Sequence, residues 1–112
     1  MVSVDLAIIG AGPAGAEAAI EAAAGGLSVA IIDEEAAAGG QVYRAPFDKG
    51  AIAADADTRL GDRMRQRLAE SDVTCLFGCR VWHVEPGFRV MSSGPEGPLE
   101  VAARALIVAT GA

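Results

Sequence analysis

Gly10 to Gly15 read Gly-Ala-Gly-Pro-Ala-Gly, directly after the strand-like segment Val2 to Ile9 and directly before an alanine-rich stretch. No other segment limits the fold so strongly. Glycines at the first, third and sixth places let the chain leave a buried strand by a tight turn, bare its main chain to a ligand and start a helix close against the sheet. Pro13 suits the first helical turn, where its fixed φ is already helical and its missing N–H is not needed. The helix is expected from about Pro13 to Ala24 and ends at Gly25-Gly26, a C-cap signal. Leu27 to Ile32 reads as a second buried strand, followed by Asp33-Glu34. Strand, glycine turn, helix, strand and acid form a βαβ unit, whose crossover should be right-handed.

The order of these residues carries a mechanism. Gly10 permits the turn, Gly12 lets a pyrophosphate press against the main chain, and Gly15 brings the helix near the sheet. The helix N-terminus, which begins at Pro13 and Ala14, supplies free N–H groups beyond the proline and partial positive charge for phosphates. Ala19 and Gly26 continue the longer G-x3-A-x6-G spacing from Gly15. Asp33, 18 residues after Gly15 and beside Glu34, is placed to accept hydrogen bonds from the adenosine ribose hydroxyls. A carboxylate there repels a 2′-phosphate, and no Arg or Lys precedes Arg44, so NADP is disfavoured. The turn alone leaves FAD and NAD open.

Beyond Asp33 the chain is irregular to Ala56, with Gly39-Gly40, Pro46 and Gly50 as breakers. A second helix is expected from Thr58 to Glu70, with Leu60, Met64 and Leu68 on its buried face and Arg59, Arg63, Arg65 and Arg67 on a solvated one. Val73 to Phe77 reads as a third parallel strand. Arg80 to Glu85, Phe88 to Ser92 and Leu99 to Ala103, separated by Pro/Gly turns, read as an antiparallel meander. Ala105 to Ala109 returns to the buried parallel style. The expected fold is α/β and Rossmann-like: a parallel sheet in the order third, second, first, last strand, with helices on one face and the meander on the other.

Several function classes are excluded early. A net charge of −6 gives no basic face for nucleic acid or an anionic membrane. The uncharged run Ala22 to Ile32, which no other exceeds in length, is too short and glycine-broken to span a bilayer. No secretory leader is visible, so the chain reads as cytoplasmic and Cys75 and Cys79 as reduced core thiols. A C-x3-C pair with one histidine, His83, is too poor in ligands for structural zinc, and no metal is expected.

Two later segments, "GGQVYRAP" from Gly39 and the terminal "VATGA", separate FAD from NAD. With the glycine turn and the meander, they resemble the FAD-binding region of the two-dinucleotide-binding-domain flavoproteins, the glutathione-reductase and thioredoxin-reductase superfamily. The "GGQVYR" wording is most similar to the large subunits of opine oxidases, hydrogen cyanide synthase and proline or hydroxyproline dehydrogenases. The resemblance covers essentially the whole chain. It implies that Gly10, Gly12, Pro13, Ala14, Gly15, Asp33 and Glu34 hold the ADP half of FAD. It implies that the Gly39-Gly40-Gln41 turn passes beside the pyrophosphate and flavin, that the Val81 main chain meets the adenine edge, and that Ala109, Thr110 and Gly111 line the cofactor where the chain turns toward an NAD domain.

There are departures from that superfamily. The C-x4-C of its disulfide reductases is absent after the glycine pair, and no catalytic acid–base pair is visible. The late Gly-Asp segment and the NAD domain are absent too, so residues 1–112 read as one FAD-binding domain, a fragment of a larger flavoprotein. The expected function is to hold FAD for hydride transfer from an amine, imino-acid or opine-type substrate, or to or from a nicotinamide, with NAD entering in the complete enzyme. Its expected partners are FAD and the remainder of the flavoprotein or a partner subunit, with self-association through an exposed apolar face. The alternatives are an NAD-binding Rossmann module and a non-catalytic nucleotide-binding or assembly module.

Overall fold

The protein is described here by a computed structural model covering residues 1–39 and 56–110. Its elements are β1 (Val2–Ile9), α1 (Pro13–Ala24), β2 (Val29–Asp33), α2 (Ala56–Glu70), β3 (Thr74–Phe77), β4 (Arg80–Glu85), β5 (Arg89–Gly94) and β6 (Gly97–Val108). They form one six-stranded sheet in the order β3-β2-β1-β6-β5-β4. Strands β3, β2, β1 and β6 run parallel, as the sequence leads one to expect, and β4-β5-β6 is the antiparallel meander.

One expectation is corrected. The third meander piece and the last parallel strand are a single 12-residue strand, β6. Its first half pairs antiparallel with β5, from Gly97↔Gly94 to Ala102↔Arg89. Its second half pairs parallel with β1, from Val101↔Val2 to Val108↔Ile9. Arg104 interrupts the apolar pattern but not the backbone hydrogen bonding, because a strand's continuity is set by its neighbours.

The sheet has to curl. Strands β3 and β4 are its two outermost members, yet only Gly78 and Cys79 lie between them. Five interstrand spacings in a flat sheet would separate them by about 24 Å, whereas three Cα steps span at most about 11 Å. Gly78, at φ +69°, makes the turn. Its N–H donates to the Glu35 carbonyl at 2.9 Å, and the Cys79 N–H donates to the Asp33 carbonyl at 3.0 Å. The start of β4 is thereby fastened beside the end of β2.

Two cores result. On the helix side, Leu6, Ile8, Val29 and Ile31 pack with Ala16, Ala19, Met64 and Leu68. On the inner side of the curl, Ala7, Ala30 and Ile32 meet Cys79, Val90 and Val101, so the meander covers the face opposite the helices. The buried seam of α2 runs through Gly61, Met64 and Leu68, while Leu60 is 45% exposed. Helix α1 ends in a Schellman motif: Gly26, at φ +94°, donates to Ala23 and Leu27 donates to Ala22. At the other end of the sheet, the Asp5 N–H donates to Ser28 Oγ at 2.8 Å and the Ser28 N–H to Asp5 Oδ2 at 2.9 Å.

Candidate dinucleotide site

The glycine turn connects β1 to α1 at the carboxyl ends of the parallel strands, where α/β sheets bind ligands. Gly10 lies at φ +112°, and a Cβ there would fall 2.3 Å from the Ala109 carbonyl oxygen. Only glycine lets the turn pass so close to the end of β6. The contact is fastened on both sides, since the Gly10 N–H donates to Ile32 O at 2.8 Å and the Ala109 N–H to Ile9 O at 2.7 Å. A Cβ on Gly15 would lie 2.0 Å from the Gly10 carbonyl oxygen, so this glycine lets the first helical turn sit on the loop itself.

Gly12 differs from both. A Cβ there would meet nothing within 4 Å among the described residues, and its φ of −72° is open to any residue. Local backbone does not require glycine here; what glycine provides is open space over the N-terminus of α1. That terminus has no side-chain cap and no acidic residue in its first turn, so its free N–H groups and positive dipole end are unopposed. Ala14 is exposed and Pro13 half-buried at the same edge. The arrangement fits a phosphate pressed against main chain.

Asp33 ends β2 beside this turn. Its Oδ2 accepts the Ala11 N–H at 2.6 Å and its Oδ1 accepts the Glu35 N–H at 2.8 Å. The carboxylate is therefore part of the turn's own framework, with only its remaining lone pairs facing outward. Glu34 is exposed next to it. Val81 is half-buried against the inner core, near Asp33 through the Cys79 hydrogen bond, and the ladder shifts register between Val81 and His83. Thr110 is exposed beyond the Ala109 contact. Gly40, Gln41 and Gly111 lie outside the described residues.

Gly39, which the resemblance puts beside the pyrophosphate, also shapes the site, as do Ala11 and Arg65, which sequence reasoning did not single out. The Ala11 carbonyl accepts the Gly39 N–H at 2.7 Å, and Arg65 Nη1 donates to the Ala38 carbonyl at 3.0 Å. Arg65 flanks the Gly61-Met64-Leu68 seam, and that position sets it apart from the exposed Arg59, Arg63 and Arg67. The two cysteines do not meet: Cys75 packs in the helix-side core and Cys79 in the inner one. Burial pushes the Cys75 thiol pKa up. Among the described residues no helix is long and apolar enough to cross a membrane.

The family model for pyridine nucleotide-disulphide oxidoreductases matches residues 4–112. An opine oxidase subunit of Rhizobium meliloti (strain 1021) is 35% identical over 111 residues, covering 96% of this chain and 24% of that protein. The chain thus spans about a quarter of that relative's length. Among solved structures, L-proline dehydrogenase from P. horikoshii superposes with a TM-score of 0.78 at 28% identity, over 98% of this chain and 23% of its own. A thioredoxin reductase from Gloeobacter violaceus superposes with a TM-score of 0.72 at 27% identity, over 100% of this chain and 38% of its own. Glycine turn, strand order and sequence likeness agree, and the chain belongs to the pyridine nucleotide-disulphide oxidoreductase family.

Proposed function

We propose that this chain binds FAD and serves as the cofactor-holding portion of a flavin-dependent oxidoreductase. The observation that carries this reading is the open space at Gly12 over an uncapped helix N-terminus, with Asp33 at the adjoining strand end. Gly12, Ala14 and Gly15 receive the pyrophosphate through main-chain N–H groups and the helix dipole, while Gly10 makes the turn and Pro13 presets the first helical residue beside it. Asp33 and Glu34 receive the ribose, the Val81 main chain the adenine edge, and Ala109 and Thr110 close the cofactor side of β6. The bound flavin supplies the hydride chemistry, while the protein's residues bind and orient it.

The likeness to L-proline dehydrogenase and to an opine oxidase supports an amine, imino-acid or opine-type substrate. Substrate and nicotinamide contacts then come from the remainder of the flavoprotein or from a partner subunit. Ile107 and Val108, 39% and 65% exposed on β6, offer apolar surface for such a neighbour. Free thiols and the acidic surface suit a cytoplasmic protein.

The test is calorimetry on the purified chain with FAD, ADP and NAD. Binding of FAD and ADP, with weaker NAD binding, is the expected result. Preference for NAD would replace this reading with an NAD module, and no binding of any of the three would leave a non-catalytic assembly module.

A further inference from the structure

Arg65 is the least exposed of the arginines on α2, with 16% of its side chain accessible. Its guanidinium faces two ways. Nη1 donates to the carbonyl of Ala38, itself only 2% exposed, and Nη2 to Asp62 Oδ1 at 2.6 Å. The next residue, Gly39, donates its N–H to the carbonyl of Ala11. The Ala11 N–H is in turn held by Asp33 Oδ2. Ala11, the residue between the first two glycines of the turn and fully buried, is thus gripped on one side by the ribose-facing acid. On its other side it is gripped by a segment that Arg65 of α2 holds at Ala38.

We propose that Arg65 is a positioning residue for the phosphate-binding turn, acting through Ala38 and Gly39 on the Ala11 peptide. This rests on the reading of the turn as a dinucleotide site. A planar guanidinium bonds Ala38 and Asp62 at once, whereas a lysine ammonium at the end of a flexible stem holds one of them well. Without the arginine the buried Ala38 carbonyl loses its charged donor, and such a group is costly to leave unpaired. The Gly39–Ala11 hydrogen bond then opens more often. The turn visits conformations in which its N–H groups do not converge, and dinucleotide affinity falls by the fraction of time so spent.

The experiment uses the full chain and the variants Arg65→Met, Arg65→Lys and Arg67→Met. Residue-resolved amide exchange is measured without cofactor, and FAD affinity by calorimetry. Arg65→Met should speed exchange at Gly39 and Ala11 by about ten-fold and weaken FAD by up to about ten-fold, the ceiling that a ten-fold rise in opening sets. Arg65→Lys should fall between it and wild type. Arg67→Met, which breaks the separate Arg67–Glu17 contact between the helices, should leave Gly39 and Ala11 unchanged. Wild-type exchange at both amides in Arg65→Met would overturn the proposal. So would equal loosening in Arg67→Met, which would mark a general loss of helix docking. Should Arg65→Met not fold, wild-type exchange and affinity in Arg65→Lys overturn it as well. A wild-type chain that binds no FAD would sink the cofactor reading alone, because exchange is read without cofactor and still decides whether Arg65 sets the turn.

Discussion

The Asp33 carboxylate accepts the Ala11 main-chain N–H at 2.6 Å, across 22 residues of sequence. A residue whose spacing marks it for a ribose is therefore also a strut of the glycine turn. The proposed ribose role and the observed structural one fall on one group, so its removal is expected to have two consequences.

Asp33→Ala leaves the Ala11 N–H buried and unpaired, which destabilises the fold by about 1–3 kcal/mol. It should also weaken FAD or ADP by about ten- to a hundred-fold, through the lost ribose bond and the loosened turn. Asp33→Asn keeps an acceptor for one main-chain N–H and should recover part of the stability but less of the affinity. Thermal melts and calorimetry on both variants separate the effects. Equal affinities in wild type and Asp33→Ala would show that the acid does not serve the nucleotide.

The three glycines of the turn should respond differently to alanine. At Gly10 and Gly15 the new Cβ meets main-chain oxygen at 2.3 and 2.0 Å, and Gly10 also has positive φ. Each substitution should destabilise the fold by about 2 kcal/mol or more. Gly12→Ala meets no atom of the described residues within 4 Å and should melt within about 2 °C of wild type while losing FAD affinity. A strongly destabilised Gly12→Ala would show that this glycine serves the fold.

Acid should act on the Asp5–Ser28 clasp. The Ser28 main-chain N–H first, and its hydroxyl second, hold the Asp5 carboxyl below its ordinary value of 3.8. A carboxyl lowered by folding contributes stability that is fully present above that ordinary value and is lost as pH falls through the lower, folded one. Melting temperature followed from pH 6 to pH 2 should therefore drop more steeply in wild type than in Asp5→Asn below about pH 4. The group is exposed, so the difference is expected to be small. Parallel curves would refute it.

The thiols should behave as isolated groups. Burial raises the Cys75 pKa, which lowers its thiolate fraction, and Cys79 is 5% exposed in the other core. Iodoacetamide at pH 8 should label both more slowly than an unfolded control, as read by mass spectrometry. Mild oxidation should form no Cys75–Cys79 disulfide in the folded chain, and finding one would mean that the two faces exchange.

The sequence alone was enough to show the βαβ unit, the order of the four parallel strands and the ends of α1. Strand, glycine turn, helix and acid are adjacent in the chain, and local sterics dictate what each glycine permits. Gly10, Gly15 and Asp33 stand where their spacing put them. What the tertiary structure decided lies in contacts between segments distant in sequence. Arg104 reads as a break between two strands, yet β6 runs through it because β5 and β1 hold its two halves. Helical period marks Leu60 with Met64 and Leu68, but close packing turned the seam onto Gly61 and left Leu60 outside. Arg59, Arg63, Arg65 and Arg67 look alike along the helix. Once the seam is known Arg65 flanks it, but its partner, the Ala38 carbonyl, is set by tertiary contact alone, because a hydrogen bond to a main-chain carbonyl leaves no mark in side-chain periodicity.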